Sequence, residues 1–421
     1  MRACFVCPYA YPLFNPDAPG RFGGAEVYAW LFARQLARRP GYQVSFAVFD
    51  CGQPQHERVD GVELFTLPSP ARWSERFLER LRPAVQRRST FPWLTVSSWS
   101  ASLAWQLPLG GVAWADARLS KEIYLHRFDV AQRRHALEQA AADVYLTFGV
   151  HHVTAEVVAY CRRAARKSLL MIQSDYDLLS QYRRGSRALN LYAEPGHLCH
   201  YGLAHADLII AQTTEQQALL GERFKRESTL IAQPIDLHEP APQAPADLPE
   251  RFVLWIGKAD DYKRPYLCLD LARLCAPTPF VMIVNRGQPE IFQSVVDRLP
   301  PNVRLIEFVP FHLIEGYVSR ATLLVNTSAY EGFPHVFLQA GKYGVPVVAL
   351  SVDPDGLLSR RAGGIVAHDD LPAMAEAVRH LLSNDAERQR LGANLQSYAR
   401  SRHQAAEKAE ELARAIEQLV L

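Results

Sequence analysis

Three loops of this chain gather residues able to hold an anionic leaving group. The segment WIGKADDYKRP sets Lys258 and Lys263 five apart with Arg264 adjacent. Three cations so placed could clamp a diphosphate, or could pair with Asp260 and Asp261 as a solvated surface. In NTSAYEGFPHVFLQ, Glu331 sits in a Gly-Pro turn just before a helix whose first N–H groups have no intrahelical partner. In PGRFGGAEVYAWLF, Gly23 and Gly24 let the backbone approach a phosphate or a sugar hydroxyl ahead of another helix, though such a pair is also a common plain turn.

Each loop follows a short apolar run, and ligands of open α/β sheets bind beyond the carboxyl ends of the strands. The runs at 2–7, 43–49, 144–148, 168–173 and 207–211 alternate with helical spacing at 23–39, 130–142, 153–166 and 214–224. A second set follows: FVLWIG, a helix near 265–275, FVMIV, a helix at 290–298, VRLIEF, TLLVNT, a helix at 335–343 and PVVAL. Alternation of this kind predicts an α/β protein of two Rossmann-like, doubly wound domains facing across a cleft. The expected divisions are 1–238, a Pro- and Ala-rich linker at 239–250, a second domain at 251–385, and helices at 386–421 that return to the first domain.

Composition narrows the partners. With 46 basic and 44 acidic residues in 421, the net charge of +2 argues against a protein held on nucleic acid by bulk electrostatics. Seven scattered cysteines fit reduced thiols and predict a cytoplasmic protein. Cys4 and Cys7 form a C-x-x-C within a strand, where residues three apart face opposite ways, so we read them as buried and inert. The DPDG at 353–356 reads as a turn and not as a metal-binding D-x-D, and no metal is expected in the reaction.

Asp175, at the end of a strand and followed by Tyr176, is the acceptor-side candidate, with helix N-capping as the alternative role. Residues 72–115 carry six arginines in RWSERFLERLRPAVQRR and then a charge-free, tryptophan-rich run from Ser89 to Ala115. This pattern allows peripheral contact with an anionic inner membrane face, or a core insertion or cover over the acceptor cleft.

E-G-F-P at 331–334, followed by A-G-K-Y-G-V-P-V-V-A, resembles the signature of the family 4 retaining glycosyltransferases. G-G-A-E at 23–26 and G-K-x-x-x-x-K at 257–263 resemble that family's glycine loop and its G-R-x-x-x-x-K. The resemblance implies the GT-B fold and transfer of a sugar from a nucleotide-diphosphate donor to a glycan, lipid-linked or small-molecule acceptor. It implies retained anomeric configuration, no cofactor, and a place in polysaccharide or glycoconjugate synthesis.

By the same resemblance, Glu331 lies against the donor sugar, Lys258 and Lys263 hold the diphosphate, and the backbone of Gly332, Phe333, Pro334 and His335 runs beside sugar and phosphate. His151 or its neighbour His152 would stand near the reacting carbon, or serve only as a loop histidine. The sequence departs from the family where Gln339 replaces the acid that grips the ribose, and where Lys258 replaces arginine. Gln339 keeps open a catalytically silent, nucleotide-sugar-binding subunit. An epimerase or phosphorylase shares the fold, although no pyridoxal-binding lysine site is evident for the latter.

Overall fold

Strands such as Arg2–Val6 and Val144–Phe148, apolar at most positions and buried almost throughout, need cover on both faces, and both lie at the centre of a parallel sheet. The computed structural model describes residues 1–18, 22–67, 131–190 and 194–421, with short pieces at 85–87, 94–96, 106, 108–112 and 114–115. The first sheet contains β1 (Arg2–Val6), β2 (Gln43–Phe49), β3 (His56–Val59) and β4 (Val62–Leu67). A separate short ribbon pairs β5 (Val85–Arg87) with β6 (Leu94–Val96). The first sheet continues with β7 (Val144–Phe148), β8 (Lys167–Met171), β9 (Leu208–Ala211) and β10 (Thr229–Leu230). Its order is β10-β9-β8-β7-β1-β2-β4-β3, parallel except for the β3–β4 hairpin.

That hairpin is absent from the sequence reading, although its signal is present. Asp60 and Gly61, both with positive φ, turn HERV back onto VELF, and an Asp-Gly pair suits such a turn. Cys4 and Cys7 point to opposite sides of the sheet, each into a separate apolar cluster, and burial pushes the Cys4 thiol up to about 12.

The second sheet holds β11 (Val253–Lys258), β12 (Phe280–Asn285), β13 (Val303–Ile306), β14 (Leu323–Asn326), β15 (Val347–Ala349) and β16 (Gly364–Val366). Its order is β13-β12-β11-β14-β15-β16, parallel throughout. Both sheets reverse direction of winding beside their first strand, between β1 and β7 and between β11 and β14. Those two switch points are where ligand crevices form in doubly wound sheets.

Helix α1 (Gly24–Ala37) follows β1, α2 (His152–Ala164) follows β7, and α3 (Thr214–Leu219) follows β9. In the second domain α4 (Pro265–Leu274) follows β11, α5 (Phe311–Arg320) precedes β14, and α6 (His335–Lys342) follows it. Helix α7 (Asp385–Arg402) packs against α6 and the turn that follows it at backbone range. A Cβ on Gly392 would stand 2.0 Å from the Gly344 carbonyl oxygen, and one on Gly341 3.1 Å from Ala399 Cβ. We expect Gly392→Ala to cost about 1–3 kcal/mol by forcing these elements apart. A thermal unfolding midpoint equal to that of wild type would show that this contact does not constrain the fold.

The chain then crosses to the first domain at His403. The Ile235 amide donates to the His403 carbonyl (2.7 Å), the Ala405 amide donates to the Ile235 carbonyl (3.1 Å), and α8 (Ala405–Val420) lies on α1. Leu412, Ala413 and Ile416 complete the first domain's core.

His403 is wholly buried between the rings of Phe333 and Tyr398, with its Nδ1 2.7 Å from the Gln233 carbonyl. Burial lowers both His403 and His335 to about 4. These histidines are held neutral in the fold but take a proton near 6.5 when unfolded. Their contribution to stability is therefore present above pH 6.5 and is lost as pH falls towards 4. The melting temperature should drop across that window, and drop less in His403→Asn. Equal slopes in the two proteins would remove His403 as a source of acid sensitivity.

Most of 72–115 lies outside the described residues, so the membrane-contact reading falls largely there. No helix among the described residues is long and apolar enough to cross a membrane.

Candidate active site

The loops after β11 and β14 meet at the second switch point and are laced together. Buried Trp255 donates from Nε1 to the Thr327 hydroxyl (2.9 Å), whose oxygen also lies 2.9 Å from the Lys263 carbonyl. The Ala329 amide donates to the Tyr262 carbonyl (2.8 Å). Arg264 adopts φ 49 at the junction with α4, which turns its guanidinium back onto the protein. It donates to the carbonyls of Thr327 (2.7 Å) and Ser328 (3.1 Å), to Ser351 Oγ (2.9 Å) and to Asp369 (2.6 Å). The guanidinium in turn holds the Asp369 carboxyl below its usual range. Arg264 thus braces the loop, while the other two cations of the segment face different groups.

Lys263 forms an ion pair with Glu331, whose Oε1 also accepts from Ser328 Oγ (2.7 Å). Both charged side chains are less than a fifth exposed. Gly332 and Phe333 lead to Pro334, the N-cap of α6, so Glu331 stands just before a helix end with unpaired amides. The Phe333 and His335 side chains turn inward, Phe333 onto His403 and His335 onto Phe311 and Gln233. Gln339, one turn further along α6, is 1% exposed, and its amide nitrogen has no hydrogen-bond partner among the described residues.

Lys258, at the end of β11, reaches the first domain. A Cβ on Gly23 would lie 3.8 Å from its Nζ, whereas one on Gly24 would meet nothing within 4 Å. The Gly23 amide donates to Glu26 Oε2 (2.6 Å), a capping contact that closes the first turn of α1. Glu26, Ser328, Trp255 and Thr327 are site residues that the sequence reading did not single out. Glu26 was within reach, since it lies three residues after the N-cap Gly23. The others depend on the meeting of two loops.

On the first domain, His151 caps α2. Its Nδ1 accepts from the Thr154 amide (3.4 Å), and its Nε2 lies 3.0 Å from the Phe148 carbonyl, so both ring nitrogens face its own backbone. His152 instead meets a carboxylate, Nδ1 to Glu194 Oε1 at 2.7 Å. Burial works to raise the Glu194 carboxyl, but the contacts with His152 outweigh it and hold the group below its ordinary value. Asp175 opens a short 3-10 turn whose N-cap is Ser174. Burial raises its carboxyl to about 6 against the Gln216 amide at 3.5 Å. Tyr176 stacks on Tyr330 of the second domain at 4.1 Å. Among the described residues, no cluster of His, Cys, Asp or Glu is arranged to hold a metal.

Residues 250–384 match the family model described as "Glycosyl transferases group 1". No curated protein matches the chain. Among solved structures, the fold is similar to sucrose-phosphate synthase from Thermosynechococcus elongatus. The TM-score is 0.67 at 18% identity, over 100% of this chain and 99% of that one. It is also similar to Anabaena HepE in complex with UDP-glucose, with TM-score 0.65 at 14% identity over 99% and 100% of the two chains. A third structure is described as trehalose-6-phosphate from E. coli bound with UDP-2-fluoro glucose, with TM-score 0.63 at 11% identity and 99% of each chain covered. The chain therefore has the two-domain GT-B fold, and its residues 250–384 are similar to the group 1 glycosyl transferases that the family model describes.

Proposed function

We propose that this protein is a retaining, metal-independent glycosyltransferase that moves a hexose from a UDP-sugar to a hydroxyl of a glycan or lipid-linked acceptor. The observation that carries this reading is the joining of Lys263, Ser328 and Glu331 at the N-terminus of α6, beside the second switch point. Lys258 and Lys263 would neutralise the departing diphosphate, aided by the first amides of α6, where charge develops as the glycosidic bond breaks. Glu331 would take hydrogen bonds from sugar hydroxyls. The Gln339 amide nitrogen, which has no partner among the described residues, would donate to a ribose oxygen, a neutral bond in place of a charge-assisted one. The acceptor hydroxyl would approach on the face the diphosphate leaves and pass its proton to a phosphate oxygen.

UDP is the nucleotide favoured because the similar HepE and E. coli structures hold UDP-sugars. Residues 72–115 would carry any contact with an anionic membrane surface, in keeping with exposed Leu109, Val112 and Trp114. Co-sedimentation with anionic vesicles, lost at moderate salt, tests that contact.

Thermal melting with UDP, UDP-glucose, GDP-mannose and ADP-glucose tests the donor. At a hundredfold excess over Kd, a bound donor adds about 2.7 kcal/mol to stability. We expect UDP and its sugars to raise the midpoint and UDP-glucose to be hydrolysed slowly. No shift with any of them would overturn the reading. A shift without release of UDP, in the presence of acceptor extracts, would favour the silent binding subunit.

A further inference from the structure

The tripeptide Tyr330-Glu331-Gly332 belongs to the second domain, yet both residues flanking the acid are held by the first. Tyr176 lies on the Tyr330 ring with 29° between planes, and Tyr262 stacks with the same ring at 5.2 Å. Gly332 sits on the β8 loop so closely that a Cβ would fall 2.2 Å from the Gln173 carbonyl oxygen and 2.9 Å from Ser174 Cα. That loop is stiffened from within. Buried Asp177 accepts from the amides of Gln173 (2.6 Å), Ser174 (3.1 Å) and Val150 (3.1 Å).

A second bridge lies in the DPDG turn. Asp355 has φ 51 and ψ 23, the left-handed backbone that Asp60 also adopts ahead of a glycine. Its carboxylate reaches the first domain, accepting from the Thr214 hydroxyl (2.6 Å) and the Thr214 amide (3.0 and 3.2 Å). The bonds that hold the Asp355 carboxylate on Thr214 cross between the domains.

We infer that Tyr330 and Asp355 are positioning residues: Asp355 fastens the second domain to Thr214, and the closed cleft seats Glu331 through Tyr330 and Gly332. Glu331 then takes its working position only when the domains are together, so donor held by the second domain alone is not committed to reaction. The kinetic part of this inference rests on the proposed glycosyltransferase activity, and the conformational part does not.

Solution X-ray scattering of the full chain tests the conformational part. For wild type, a radius of gyration of roughly 22 Å is expected for 421 residues. Asp355→Ala combined with Tyr330→Ala should raise it by about 1 Å, the scale of a modest hinge opening. Thr214→Val, which removes the hydroxyl at constant shape, should shift the curve in the same direction. Circular dichroism on each variant separates opening from unfolding. Scattering curves of the folded double variant that superimpose on wild type would overturn the inference.

The kinetic part is read from UDP release. In Tyr330→Ala the maximal rate should fall about tenfold with KM for UDP-glucose within about threefold, because the lysines that hold the donor remain in place. Tyr330→Phe, which keeps the stacked ring, should recover most of that loss. A rise in KM with no change in maximal rate, or no recovery by phenylalanine, would overturn the positioning role. If wild type releases no UDP, the proposed function fails, while the scattering comparison still decides whether Asp355 and Tyr330 hold the domains together.

Discussion

Glu331→Gln is expected to lower turnover by about two to three orders of magnitude, the range seen when a preorganised electrostatic contact is lost. The side chain is less than a fifth exposed, and its Oε1 already accepts from Ser328. Glutamine fills the same space and keeps an acceptor oxygen, but bonds from sugar hydroxyls to it lose charge assistance. Lys263 also loses its ion-pair partner and gains freedom to leave the position at which it would meet a phosphate. The melting temperature should change by only a few degrees, since one partly exposed ion pair contributes little to folding. Single-turnover release of UDP from UDP-glucose, measured beside a melting curve, reads both effects. Wild-type turnover in the variant would remove Glu331 from the reaction.

Lys263→Ala is expected to cost about 2–4 kcal/mol of transition-state stabilisation, or roughly thirty- to nine-hundredfold in kcat/KM. The substitution removes one of two cations proposed for the leaving group and leaves Glu331 without its counter-charge. Because the two residues touch, their effects should not add. The double variant with Glu331→Gln should be less impaired than the product of the single losses. A variant that melts earlier but keeps its kcat/KM would make Lys263 a structural partner of Glu331 and nothing more.

The contrast between Lys263 and Arg264 marks where sequence stops being informative. Both stand on one loop, and both carry a charge suited to phosphate. A left-handed backbone at Arg264 sends its guanidinium to the carbonyls of Thr327 and Ser328, whereas Lys263 points to Glu331. His151 and His152 divide in the same way. The first position of a helix cap turns one ring onto its own backbone, and the next residue meets Glu194, 42 residues away.

The sequence makes the two wound sheets legible, because strands buried on both faces are mostly apolar at successive positions and the helices between them are apolar on one side. It also placed the three loops, since each follows a strand's carboxyl end. The β3–β4 hairpin was equally legible in Asp60-Gly61, a local turn signal. Partnership emerges only in the folded molecule: Tyr176 with Tyr330, Gln173 with Gly332, Thr214 with Asp355. Periodicity and turn chemistry report the neighbourhood within a few residues of a position. Contacts between residues more than a hundred apart are set by how two finished domains approach, and nothing in the local pattern encodes that approach.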